Sequence, residues 1–141
     1  MVHAFLYFLY WVDTALGFIG HLPLEHLTSL KEFTITGIKF TPIMRMASHR
    51  SLQWVTPILQ TVRVNSPLEV LRFRIWHHNK FNDQTFDWDA MKTILIGMPR
   101  LRVVEFEISG GDSASQMRSI VQQNLEGIKE KCTLKLSGRA D

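Results

Sequence analysis

Chemistry in this chain would have to come from its histidines, its carboxylates, one cysteine or one glycine pair. The histidines are His3, His21, His26, His49, His77 and His78. His77 and His78 with Asp83 carry suitable metal-ligating atoms. Neighbouring residues on an extended segment point to opposite faces, however, so they do not converge on one ion. No His-x-x-x-His spacing stands on a helical stretch, and Cys132 is the one cysteine, so no metal is expected. Asp87 and Asp89 flank Trp88 where a helix is predicted to begin. Carboxylates there suit the positive end of the helix dipole and read as a cap rather than an acid–base pair. Gly110-Gly111-Asp112 follows a predicted strand, but it lacks both the G-x-G-x-x-G and the Walker spacing and reads as a turn. No Gly-x-Ser-x-Gly elbow occurs. Cys132 opens a predicted strand and reads as a buried small apolar residue. A single cysteine forms no intramolecular disulfide, which fits a reducing compartment. The expectation is a protein that is not an enzyme, with no catalytic residue, no cofactor and no small-molecule substrate.

A different chemistry, recognition, is suggested by Arg72, Arg74, Trp76, His77, Lys80 and Phe81. Strand alternation puts Trp76 on the face of Arg72 and Arg74. The others follow at the strand end and in the loop beyond it. Aromatic and basic side chains together suit a protein-binding surface. The competing reading packs Trp76 under its own loop.

Those residues need a scaffold. The chain has 141 residues, 45% apolar and 21% charged, which is one globular domain's worth of sequence. Its net charge is +3, and acids and bases are interspersed. Arg72, Arg74, Arg100 and Arg102 stand near glutamates, and no basic run exists, so no nucleic-acid partner is expected.

The stretch from Val2 to Val12 is almost continuously apolar. We read residues 1–21 as an apolar N-terminal helix. A signal peptide would need a cation before the apolar run, and a membrane span needs about 20 apolar residues, whereas Asp13 interrupts this one. A chain opening on an apolar helix also fits a fragment of a longer protein. Thr28–Ile38 reads as a strand, with Phe33 and Ile35 on one face and Thr34 and Thr36 on the other; Gly37 ends the alternation and Phe40–His49 is a loop. A helix capped by Ser48 or Ser51 runs to Val62, interrupted by Pro57. The second strand is Leu68–Trp76, the next helix Trp88–Ile96 with Asp87 or Asp83 as its cap, and the third strand Leu101–Ser109. A last helix, Ala114–Lys131, is capped by Ser113 or Ser115, weakened at Gly127, and has Lys129 and Lys131 at the negative end of its dipole. Cys132–Ser137 is the final strand.

These elements repeat. Leu68-Glu69-Val70-Leu71-Arg72-Phe73-Arg74-Ile75 and Leu101-Arg102-Val103-Val104-Glu105-Phe106-Glu107-Ile108 share Leu-x-x-(Leu/Val)-x-Phe-x-Ile, and Leu30-Lys31-Glu32-Phe33-Thr34-Ile35 is a looser copy. Each follows a helical segment containing Trp11, Trp54 or Trp88. Helix–strand alternation predicts parallel strands with right-handed crossovers. If the strands stack in order, Arg72 and Arg74 lie beside Glu105 and Glu107, with Lys135 beside Glu107.

These strands resemble an irregular leucine-rich-repeat region, similar in style to the repeat portions of fungal F-box family proteins, over residues 11–137. The usual repeat asparagine is missing; Trp76 and Ser109 stand near its place. Leu22-Pro23-Leu24-Glu25-His26-Leu27 looks like an F-box opening, but Phe33-Thr34-Ile35-Thr36 is strand-like where helices should follow, so the F-box is not present.

The fold expected is α/β: a short leucine-rich-repeat-like solenoid of helix–strand units with a parallel sheet. It forms a single domain over 1–141, with repeats at about 22–49, 50–81, 82–112 and 113–138. The resemblance implies a non-enzymatic protein–protein interaction module, the substrate-recognition part of an F-box type ubiquitin-ligase adaptor, in the cytoplasm or nucleus and with a protein partner. The alternative is a small membrane-associated or secreted protein using residues 4–12 as anchor or signal.

Overall fold

The structure is a computed structural model and describes residues 2–7, 29–40, 55–62, 65–77, 87–110 and 112–138. The described elements follow in the order β1 (Val2–Tyr7), β2 (Leu30–Phe40), helix α1 (Val55–Gln60), β3 (Val70–His77), α2 (Trp88–Gly97), β4 (Val103–Ser109), α3 (Asp112–Leu125), a 3-10 turn (Glu126–Glu130) and β5 (Thr133–Ser137), so that from β2 onward strands alternate with helices. The strands form one sheet in the order β1-β2-β3-β4-β5. Every neighbouring pair is parallel. The protein is therefore α/β with a parallel sheet, as the helix–strand alternation predicts.

The two periods in the sequence explain the layers. Along β3, Leu71, Phe73 and Ile75 point inward and are buried; along β4, Val104, Phe106 and Ile108 do the same. Opposite them come residues at helical spacing: Val55 and Leu59 from α1, Met91 and Leu95 from α2, and Met117, Val121 and Leu125 from α3. All belong to one continuous apolar core. α1 touches α2 and α2 touches α3, while α3 also touches β3, β4 and β5. Among the described residues, the helices thus line one face of the sheet. At the centre the rings of Phe73 and Phe106 stack, with centroids 4.7 Å apart.

Local chemistry sets the helix ends. Asp87 Oδ1 accepts a hydrogen bond from the Ala90 amide at 2.9 Å, so Asp87 is the cap of α2, and Asp89 stands in its first turn. Pro57 stands in the first turn of α1, where its missing N–H leaves no helical carbonyl unpaired. The helix after β4 starts at Asp112, ahead of the expected caps Ser113 and Ser115. The turn before it depends on Gly110, whose φ of 125° is closed to most side chains. From Glu126 the α-helix gives way to the 3-10 turn that contains Gly127.

Two expectations are corrected. The apolar N-terminal helix over 1–21 is, in its described part, strand β1, paired with β2 from Val2 to Tyr7; residues 8–21 lie outside the described residues. A continuous apolar run has no period to separate helix from strand, and strands of parallel sheets often read this way. Residues 4–7 of the expected anchor are thus part of the sheet. No helix among the described residues is long and apolar enough to cross a membrane. Second, β2 continues to Phe40, into the expected loop, with a register shift between Ile35 and Ile38. Gly37 lies in that irregularity, so it interrupts the alternation without ending the strand.

Replacing either stacked ring should expose its place in the core. Phe73→Ala and Phe106→Ala should each lose about 3–5 kcal/mol of stability. The leucine variants should lose less, and the double alanine variant should fall short of additivity, because the two rings touch. Urea unfolding followed by circular dichroism measures all of these; near-native midpoints for the alanine variants would remove both rings from the core.

Candidate functional site

Inward and outward residues alternate, so the residues between the core positions share the other face of the sheet. β3 contributes Arg72 and Arg74 to it, and β4 contributes Glu105 and Glu107. The register sets Arg72 opposite Glu105 and Arg74 opposite Glu107, with no shift from Val70↔Val103 to Trp76↔Ser109. Arg72 Nε donates to Glu105 Oε2 at 3.0 Å, and Arg74 Nε donates to Glu107 Oε2 at 3.0 Å. The cross-strand pairing inferred from the repeats is present.

Arg72 does more than the repeats imply. Its Nη1 donates to Glu32 Oε2 on β2 at 2.8 Å, so one guanidinium holds carboxylates on both neighbouring strands. The hydrogen bond to Glu32 raises the Arg72 pKa above its ordinary value; burial opposes this and Glu105 reinforces it. Glu32 escaped the sequence reading, although its signal was available: it is two residues before Thr34 and so shares that face.

Thr34 and Thr36, the residues of β2 on this face, are only 4% and 7% exposed. They lie between β1 and β3 in the sheet order, where short side chains between flanking strands keep little accessible surface. Lys135, expected beside Glu107, stands directly opposite Glu105, and Ser137 takes the place opposite Glu107. The register expected for β5 is two residues out along the whole strand: Leu134 pairs with Val104 and Leu136 with Phe106. Lys135 is exposed and makes no ion pair among the described residues.

Of the candidate recognition residues, Arg72 and Arg74 are brought together on this face. Trp76 and His77 are the last residues of β3, in register with Lys39 and Phe40 of β2. Lys80 and Phe81 lie outside the described residues, as do His78 and Asp83. Among the described residues no group of three His, Cys, Asp or Glu side chains is placed to hold a metal ion.

An open depression of about 700 Å³ lies elsewhere, lined by Arg102, Val103 and residues 129–134. Its cations are largely engaged. Lys129 pairs with Glu126. Lys131 Nζ donates to the carbonyls of Leu95, Ile96 and Met98. Those carbonyls end α2, so Lys131 serves the dipole of the preceding helix, which corrects the expectation that it serves the dipole of its own. Cys132 is buried beside it. Burial pushes its thiol pKa up, against a smaller opposing effect of Lys131.

No protein-family model, no curated protein and no solved structure matches the chain.

Two outcomes follow from these contacts. Arg72→Met should cost about 1–2 kcal/mol, since it strands two carboxylates, whereas Arg74→Met should cost under about 1 kcal/mol. Molar salt should shrink the Arg74 effect more, because that pair is more exposed; equal losses for both variants in a chemical-denaturation series would contradict the bridging role of Arg72. The Cys132 thiol has its folded pKa above its unfolded one. Its contribution to stability is therefore present in full below the ordinary thiol range and is lost as pH rises through the raised folded value. A chromogenic disulfide reagent should react slowly with native protein and rapidly in urea; equal rates would place the thiol at the surface.

Proposed function

We propose that the chain is a non-enzymatic protein–protein interaction module, built as a short leucine-rich-repeat-like solenoid, that presents its charged sheet face to a protein partner. One observation carries the reading. Five parallel strands follow one another in sequence order, with helices on one side and the Glu32–Arg72–Glu105 and Arg74–Glu107 sets on the other. Each helix–strand unit then buries its apolar face mainly against its neighbours, which is how solenoids are built and how they come to carry broad surfaces. Arginine held in a planar, bidentate-ready geometry is a frequent anchor of protein interfaces. The likeness of the repeats to those of fungal F-box proteins gives the sharper form: recognition of a protein substrate for a ubiquitin ligase, in the cytoplasm or nucleus.

Site-specific photo-crosslinking in cells distinguishes the two faces. A photoreactive residue at position 74 should give discrete adducts. Excess unlabelled wild-type protein should suppress them, and a competitor carrying Arg74→Glu and Glu107→Arg should not. The same residue at Gln123, an exposed position on α3, should give none that compete in this way. Adducts confined to the helix side, or equal suppression by both competitors, would overturn the assignment of this face.

A further inference from the structure

β5 ends the sheet among the described residues. Its outer edge can be read from the hydrogen bonds on its inner edge. Thr133 N–H donates to the Arg102 carbonyl at 2.8 Å, and Thr133 pairs with Val103. In a parallel ladder a residue's N–H and C=O point to the same side, and successive residues alternate sides. Thr133, Lys135 and Ser137 therefore bond toward β4. Leu134 and Leu136 direct their N–H and C=O groups outward, to the open edge.

The side chains at this edge are incomplete in a matching way. Leu134 and Leu136 continue the rows of Val104 and Phe106, which are 0% exposed, yet they are only partly buried against the core. On the other face the row in register runs Arg72, Glu105, Lys135. Its charges alternate plus, minus, plus, and Lys135 at the end has no ion pair among the described residues.

We propose that the β5 edge takes up an extended polypeptide as a sixth, parallel strand, with the sequence character apolar–acidic–apolar. The acidic residue sits opposite Lys135, and its apolar neighbours cover Leu134 and Leu136. The backbone supplies the affinity and the alternation supplies the selectivity, as in other cases of strand addition. In this register the acidic residue's amide donates to the Leu134 carbonyl, and its carbonyl accepts from the Leu136 amide. A carboxylate on an adjacent strand would stand about 4.8 Å from the Lys135 row, as its partners within the sheet do. A second copy of this chain is the poorer occupant. Its own edge strand, Val2-His3-Ala4-Phe5-Leu6-Tyr7, has the right polarity but no carboxylate. The proposal rests on the protein-interaction reading only in taking the partner to be a polypeptide, and it concerns the edge rather than the face around Arg74.

The test uses the full chain and a synthetic peptide with the core Thr-Val-Glu-Val-Thr, flanked by Gly-Lys for solubility. The peptide should bind in a fluorescence-anisotropy titration and slow hydrogen exchange at the Leu134 and Leu136 amides above all others. A Glu-to-Lys peptide should bind roughly tenfold more weakly, and Lys135→Glu in the protein should reverse that order. N-methylation of the peptide's glutamate should abolish the protection, because it removes the donor aimed at Leu134. No binding, protection elsewhere, or indifference to Lys135→Glu would overturn the proposal. So would concentration-dependent protection of Leu134 and Leu136 without peptide, which would make a second copy the occupant. Loss of the edge result while the crosslinks from position 74 persist would refute the sixth strand and leave the interaction module standing.

Discussion

Strands β3 and β4 lie side by side without a register shift, Val70 against Val103 through Trp76 against Ser109, and the rest of the structure depends on that alignment. A strand's side chains alternate with a period of two, so a slip of one residue would turn Phe106 outward and bring Glu105 into the core. With the observed register, Phe73 meets Phe106 beneath the helices while Arg72 meets Glu105 on the other face. Burial of the rings specifies the alignment strongly. The ion pairs, being partly exposed, add little energy but agree with it at every position. The Glu32 contact to Arg72 extends the same agreement to β2.

Once the strands are parallel and consecutive, each connection must return to the starting end of the sheet, and among the described residues helices lie in the connections from β2 to β3, β3 to β4 and β4 to β5. Stacked on one side, they bring their own ends together. The last turn of the final helical segment lies near the end of α2, which explains the role of Lys131. The carbonyls of Leu95, Ile96 and Met98 lie where α2 stops; those of Leu95 and Met98 accept from the Met98 and Leu101 amides, and a lysine 33 to 36 residues later donates to all three. The end of one helix is thus completed by the next unit, which couples neighbouring units through backbone groups as well as through the apolar core.

The same geometry separates the charged face from the open edge. On the face, charges are satisfied within the sheet, pair by pair, so a partner there would compete with or add to existing contacts. Among the described residues the pairing stops at β5: Leu134 and Leu136 are incompletely covered, and the alternating row ends in Lys135. Exposed edges of this kind invite another strand. The two surfaces therefore differ in how they would recognise a partner, by side chains across the face and by backbone along the edge.

Much of this was legible in the amino-acid sequence, and for a definite reason. The Leu-x-x-(Leu/Val)-x-Phe-x-Ile copies carry both the period and the register, because identical spacing around Phe73 and Phe106 leaves one alignment in which all apolar residues coincide. The Arg72–Glu105 and Arg74–Glu107 pairs follow from it, as do the α/β class and the Asp87 cap. Where the local period fails, so does the inference. The apolar run at Val2–Tyr7 has no alternation and becomes a strand only because β2 offers it hydrogen-bond partners. β2 passes through an irregularity around Gly37 that no spacing rule announces. The burial of Thr34 and Thr36, the reach of Arg72 back to Glu32 and the service of Lys131 to α2 join residues distant in the chain. They were decided by which surfaces the packed helices and strands bring together, a quantity that short-range sequence patterns do not contain.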